Sequence, residues 1–160
     1  MIKNISNLGD AAVYCDFGKE VNKEINTNVI KYFYSIRNQK IKGINNLTPS
    51  YNKLIISFDL KLTNFNEIKK KIENLNINEV FVQNNKELKI PVCCDEIFGL
   101  DISILEKKLS IKKNKILENF FNKEYFCYMT GFIAGMPFLG DLDQNMRAQR
   151  LETPRVKVPK

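Results

Sequence analysis

Glu124-Tyr-Phe-Cys-Tyr-Met-Thr-Gly131-Phe-Ile-Ala-Gly135-Met-Pro137-Phe-Leu-Gly140 is the stretch on which the fold turns. Residues 124–130 crowd aromatic, Thr and Cys side chains together without a breaker, which predicts a strand. Seven glycines serve all 160 positions, and three of them fall within the next ten residues, together with Pro137. Glycine opens backbone angles that a side chain forbids and lets a ligand or a second backbone come close. Pro137 fixes its own φ and biases Met136 away from helix. Phe132, Ile133, Met136, Phe138 and Leu139 interleave with the glycines, where an ordinary solvated loop would carry Ser, Asn and Lys. The pattern predicts a tightly packed turn, either buried or lining a pocket. A packed strand-to-loop corner with no chemistry stays open beside the functional reading.

Outward from this stretch, the N-terminal half predicts a compact unit. Residues 11–17 read as a strand, closed by Gly18. Over 20–38, Val21, Ile25, Val29, Ile30, Phe33, Tyr34 and Ile36 recur at helical spacing. Residues 43–49 form a weak strand and 53–58 (Lys-Leu-Ile-Ile-Ser-Phe) a clear one. Thr63 or Asn64 caps a helix over 65–75, with Phe65, Ile68, Ile72 and Leu75 as its stripe. Residues 78–82 read as another strand. The order βαββαβ implies an α+β domain over 1–83: an antiparallel sheet with two helices on one face.

Gln83-Asn-Asn-Lys86 is a polar seam. Beyond it, 87–160 reads as a second domain. Residues 87–93 alternate as a strand, with Pro91 marking an edge or crossing point. Asp95 and Glu96 share a short loop, where they either hold a metal or act as a base, or form a solvated turn. Two short helices follow, over 101–109 with Asp101 as N-cap, and over 111–121 opened by Ser110. After the glycine stretch, Thr153-Pro-Arg155-Val-Lys157-Val-Pro159-Lys160 alternates like an emerging strand.

Composition removes several chemistries. The chain has no histidine, so it has no Ser-His-Asp or Cys-His arrangement and no imidazole ligand or base. Catalysis is left to carboxylates, Lys, Tyr, Cys or backbone amides. Four cysteines, at 15, 93, 94 and 127, lack zinc spacing and read as small buried hydrophobes. No apolar run approaches the ~20 residues needed to span a bilayer. The N-terminus lacks a signal-peptide segment, so a cytoplasmic address is expected. The net charge of +7 reads as a solvated lysine surface in a lysine- and asparagine-rich chain, not as a nucleic-acid face. Neither nucleic acid nor membrane is expected as a partner.

The glycine stretch, followed by Thr153-Pro-Arg155-Val-Lys-Val-Pro159, resembles the KipI family, of the carboxyltransferase subdomain C/D type. That family includes the B-subunit of 5-oxoprolinase and allophanate hydrolase subunit 1. Its pattern is Gly-Phe-x-Pro-Gly-Phe-Pro-Tyr-Leu-Gly, then Thr-Pro-Arg-x-x-Val-Pro-x-Gly. Gly9-Asp10-Ala-Ala-Val, Ile90-Pro-Val-Cys-Cys-Asp95-Glu-Ile-Phe-Gly99-Leu-Asp101 and Glu124-Tyr125 extend the likeness over nearly the whole chain. The departures are Ala134 for Pro, Met136 for Phe, and Phe120 where the family usually carries His. The family continues into a cyclophilin-like β-barrel, so the resemblance implies that 87–160 is the incomplete start of that barrel. The expectation is a C-terminally truncated form.

The resemblance implies a non-autonomous subunit of an ATP-dependent amidohydrolase that opens 5-oxoproline to glutamate. Its partners would be the KipA-like C-subunit of 5-oxoprolinase and a LamB/YcsF-like A-subunit. ATP with Mg would be bound by the complete complex and not by this chain alone, and no metal site is expected on it. Two alternatives stand beside this: a regulatory protein that inhibits a sensor histidine kinase, and a non-functional remnant. Lactam opening with ATP needs cations and free amides around a transferred phosphoryl group. Gly131, Phe132, Gly135, Pro137, Gly140 and Arg155 are the substrate- or phosphate-binding candidates, with Lys157 a further source of charge. Arg155 alternatively binds only a carbonyl or a surface carboxylate. No Gly-x-x-x-x-Gly-Lys-Ser/Thr loop occurs, which excludes a P-loop. Tyr125 and Tyr128 would share a strand face only across a bulge.

Overall fold

The computed structural model describes residues 1–77 and 86–157. The chain divides into two compact units, Met1–Asn84 with Cys127–Leu139, and Asn85–Phe126 with Gly140–Lys160. The glycine hairpin therefore groups with the N-terminal unit, although the expected division at 83–87 puts it in the second domain.

In the first unit, strands β1 (Asn4–Asn7), β2 (Ala12–Asp16), β3 (Ile44–Pro49) and β4 (Lys53–Phe58) form one antiparallel sheet in the order β1-β2-β4-β3. The side-chain period of a strand is two, so alternate residues share a face. Val13 and Cys15 on β2 stand opposite Ile56 and Leu54 on β4, and all four are fully buried. Helix α1 (Lys23–Gln39) lays Val29, Tyr32 and Ile36 on this face, and α2 (Phe65–Glu73) adds Ile68 and Ile72. Asn22 caps α1 by accepting from the Ile25 amide at 2.9 Å, and Asn64 caps α2 by accepting from the Glu67 amide at 3.1 Å. Both caps satisfy amides that have no partner inside their helices.

The α+β class and the helices over the sheet are as the pattern predicts. Strand β1 is not: Asn4-Ile-Ser-Asn7 has one apolar residue, and it is a strand because β2 offers it a ladder. The expected strand at 78–82 lies outside the described residues.

The second unit carries α3 (Ile102–Leu109), α4 (Lys113–Phe121) and a 3-10 turn at Gln144–Met146. Ser110 does not open the second helix; at φ +55° it ends α3 in the left-handed conformation. Asp101 stands at the N-cap position but makes no capping bond. Residues 87–93 form no strand, and their alternate apolar side chains Leu88, Ile90 and Val92 are 68%, 62% and 52% exposed. Alternation specifies a strand only where a neighbour supplies a ladder and a second layer covers one face. The strand expected to emerge after Thr153 is likewise absent over the described residues 155–157.

Candidate functional site at the glycine hairpin

Strands β5 (Cys127–Thr130) and β6 (Pro137–Leu139) form a two-stranded antiparallel sheet of their own. The register passes from Cys127–Leu139 to Met129–Phe138, so Tyr128 is the extra residue of a bulge. Tyr128 is buried. Its ring lies 6.0 Å from that of Tyr51, which also meets Phe138 edge-on at 6.1 Å. Asn26, on the buried face of α1, donates through Nδ2 to the carbonyls of Ser50 (3.2 Å), Tyr51 (3.0 Å) and Tyr128 (2.9 Å). Ser50 Oγ donates to Met129 Sδ at 3.3 Å. Sequence reasoning does not single out Asn26 or Tyr51. The available signal is the 26-29-36 spacing on α1, which places a polar residue in line with Val29 and Ile36.

The tip, residues 131–136, is open to solvent and not buried as one of the two expectations has it. Phe132 is 90% exposed, and Ile133 and Met136 are also exposed. The turn is nonetheless ordered by its own backbone. Gly131 donates to the Met136 carbonyl (3.1 Å), Ile133 to that of Gly131 (2.8 Å) and Met136 to that of Ile133 (3.2 Å). Among the described residues, no backbone acceptor takes the amides of Phe132, Ala134 or Gly135. Gly135 holds φ +79°, where a side chain is strained, and Phe132 holds φ +66° despite its ring. Gly131 has no such need: a Cβ there would meet the flexible end of Met129 at 3.0 Å. Backbone outliers of this kind cost of order 1–3 kcal/mol and cluster at functional turns.

The remaining candidates lie in the second unit. Gly140 donates to the Phe126 carbonyl at 3.1 Å. Arg155 meets Asp101 in a two-point pair, Nη1 to Oδ2 and Nη2 to Oδ1, each at 2.6 Å. This fork geometry matches a carboxylate and engages both terminal nitrogens. The guanidinium holds the Asp101 carboxyl below the usual carboxylate range, and Asp101 pushes the Arg155 value up. Asp95 and Glu96 form a solvated turn: the Asp95 carbonyl accepts from Phe98 and Gly99, and Glu96 projects outward with Lys113 Nζ at 3.4 Å. No cluster of three or more metal-ligating side chains occurs among the described residues.

Strand β5 begins at Cys127, so Tyr125 lies before it and the two tyrosines, Tyr125 and Tyr128, are not residues of one strand. The Tyr125 hydroxyl is buried without a hydrogen-bond partner, and burial pushes its pKa up. Its ring lies 5.5 Å from that of Phe120. The cysteines correct the expectation of burial. Only Cys15 is fully buried, which pushes its thiol up to about 12, whereas Cys93 and Cys127 are exposed and Cys94 is half-buried; all four are free. Two surface clefts of about 440 and 320 Å³ border α1, the first lined by Gln39, Glu67, Lys70, Lys71 and Asn74. The hairpin tip lines neither. No helix among the described residues is long and apolar enough to cross a membrane.

The family model described as "Carboxyltransferase domain, subdomain C and D" matches residues 3–160. Among characterised relatives, the chain is 29% identical to the 5-oxoprolinase B-subunit of Bacillus subtilis, an alignment covering 97% of this chain and 70% of that protein. It is 25% identical to the 5-oxoprolinase B-subunit of Haemophilus influenzae, covering 98% and 72%. Among solved structures, TTHA0988 superposes with a TM-score of 0.81 at 22% identity, over 94% of this chain and 29% of that one. Urea carboxylase of Kluyveromyces lactis gives 0.60 at 14% identity, over 79% and 13%. The chain thus spans less than a third of each of these two structures, and their likeness establishes the fold.

Proposed function

The chain belongs to the family of the carboxyltransferase domain, subdomains C and D, and from that premise we propose that it serves as the B-type component of a 5-oxoprolinase-like amidohydrolase. In this reading the complex opens 5-oxoproline to glutamate at the expense of ATP, and the chain works only with its partners. The observation that carries the proposal is the alignment of 97% of the chain with the B-subunit of B. subtilis 5-oxoprolinase. The partners are a KipA-like C-subunit and a LamB/YcsF-like A-subunit.

The hairpin tip is what this chain contributes. Its amides at Phe132, Ala134 and Gly135 stand outside the turn's own hydrogen bonds, and donors of this kind stabilise an oxygen that gains negative charge. They cost little to reorganise, because the turn is already closed by three backbone bonds. The apolar side chains of Phe132, Ile133 and Met136 exclude water around them once a partner covers the tip. Cationic charge is not supplied by the tip, and Arg155 is committed to Asp101. Without a cation of its own, this donor set at the tip does not by itself fit a nucleoside triphosphate and its metal ion. In this reading ATP with Mg is bound by the assembled complex.

The test is co-expression with the candidate A- and C-type partners, followed by an assay of ATP hydrolysis with and without 5-oxoproline. Hydrolysis that depends on both 5-oxoproline and this chain is expected. Copurification of all three proteins without 5-oxoproline-dependent turnover removes the enzyme reading.

A further inference from the structure

We infer that Asn26 is a latch, a positioning residue whose carboxamide holds the glycine hairpin against the N-terminal sheet and helix. The functional weight of the hairpin rests on the reading above, but the latch itself does not.

Asn26 is 2% exposed, on a helix face otherwise built from Val29, Tyr32 and Ile36. A buried amide at such a position is costly unless its hydrogen bonds are made. Three carbonyl oxygens converge on its Nδ2. Oxygens accept and do not donate, so their convergence fixes that atom as the nitrogen. Two of the carbonyls, Ser50 and Tyr51, lie in the turn between β3 and β4, which is closed by the Ser50 amide donating to Lys53. The third comes from Tyr128, 102 residues away in sequence. One side chain thus ties a helix, a turn and a distant strand together.

The bulge explains why Tyr128 is the residue taken. An extra residue in one strand turns its backbone out of the regular ladder, and here its carbonyl meets Asn26. The hairpin is a separate two-stranded sheet, with no ladder to β1–β4. Among the described residues, side chains contribute to its attachment: Asn26, the Ser50–Met129 contact, and the Tyr51 ring between Tyr128 and Phe138. Such an element can open as a unit while the sheet beneath stays closed.

Hydrogen exchange on the isolated chain, with Asn26→Leu against wild type, tests this. Leucine keeps the volume and removes both donors. Amides of 127–139 are expected to exchange at least about tenfold faster, with those of β2 and β4 changed by less than about twofold. Unchanged exchange in the hairpin, or equal acceleration in hairpin and sheet, overturns the latch. Should Asn26→Leu fail to fold, Asn26→Ser, which keeps one shorter donor, is judged by the same local-against-global criterion. Because no partner or substrate enters the measurement, its result is separate from the fate of the enzyme proposal.

Discussion

The two units bury very different amounts of apolar surface. In the first, eleven residues from β2 and β4, the flank of β2 and both of that unit's helices form one cluster, most of them fully inaccessible. In the second, among the described residues, Ile116 and Met146 are the buried apolar side chains, and α3 buries none. Yet the second unit is not poor in apolar residues: Leu88, Ile90, Val92, Ile97 and Phe98 are all exposed. The difference lies in layers. In the first unit a paired sheet offers a continuous face and two helices cover it, so each apolar residue meets a partner. An apolar pattern without a facing layer gains nothing from burial.

The sharpest way to break this comparison is to delete equal side chains from the two units. Ile56→Ala, in the centre of the sheet, is expected to cost about 2–5 kcal/mol, the usual range for an aliphatic side chain cut back to alanine in a packed core. Ile116→Ala, at 4% exposure but with a thinner surround, is expected to cost less than half of that. Denaturant midpoints with unchanged slopes measure both. Equal losses would mean that the second unit is packed as well as the first.

A smaller effect sharpens the edge of the first unit. Asp16 Oδ1 accepts from the Gly18 amide at 2.7 Å and pairs with Lys53, which also donates to the Gly18 carbonyl. The Lys53 hydrogen bond is the main reason that the Asp16 carboxyl sits below its ordinary value of 3.8. A depressed carboxylate stabilises the fold above its unfolded pKa and loses that contribution as pH falls through the folded value. Asp16→Asn is expected to cost about 0.5–1 kcal/mol at neutral pH, kept small because the pair is partly exposed to solvent. The gap between wild type and Asp16→Asn should close as pH falls below 3.8. A gap that persists there would show that the charge of the Asp16 carboxylate is not what stabilises this edge.

How far the sequence can be read follows the same division. Lys53–Phe58 is legible because its alternation has a buried partner at every second position, and Asn64 because capping is local. Strand β1 is hidden, since Asn4-Ile-Ser-Asn7 becomes a strand only by pairing with β2. The same logic in reverse misleads at 87–93, where alternation finds no neighbour. At the glycine stretch the strand and the turn are legible, but not its exposure, nor which glycine matters: φ is positive at Gly135 and not at Gly131. Spacing alone can place Asn26 on the buried face of α1, but its partners are out of reach, because the three acceptors lie 24, 25 and 102 residues away. For Arg155 the sequence leaves a phosphate, a carbonyl and a carboxylate open, and the carboxylate of Asp101 is the one it meets.

The most direct test of the account asks whether the hairpin tip, and not the sheet below it, is what the complex uses. Gly135→Val places a branched side chain at φ +79°, in space where no atom lies within 4 Å, so the change strains the turn without a clash. With the A- and C-type partners present, 5-oxoproline-dependent ATP hydrolysis is expected to fall by at least about tenfold relative to wild type, while hydrogen exchange in β2 and β4 is unchanged. Wild-type turnover from the Gly135→Val complex would contradict the assignment of function to the tip.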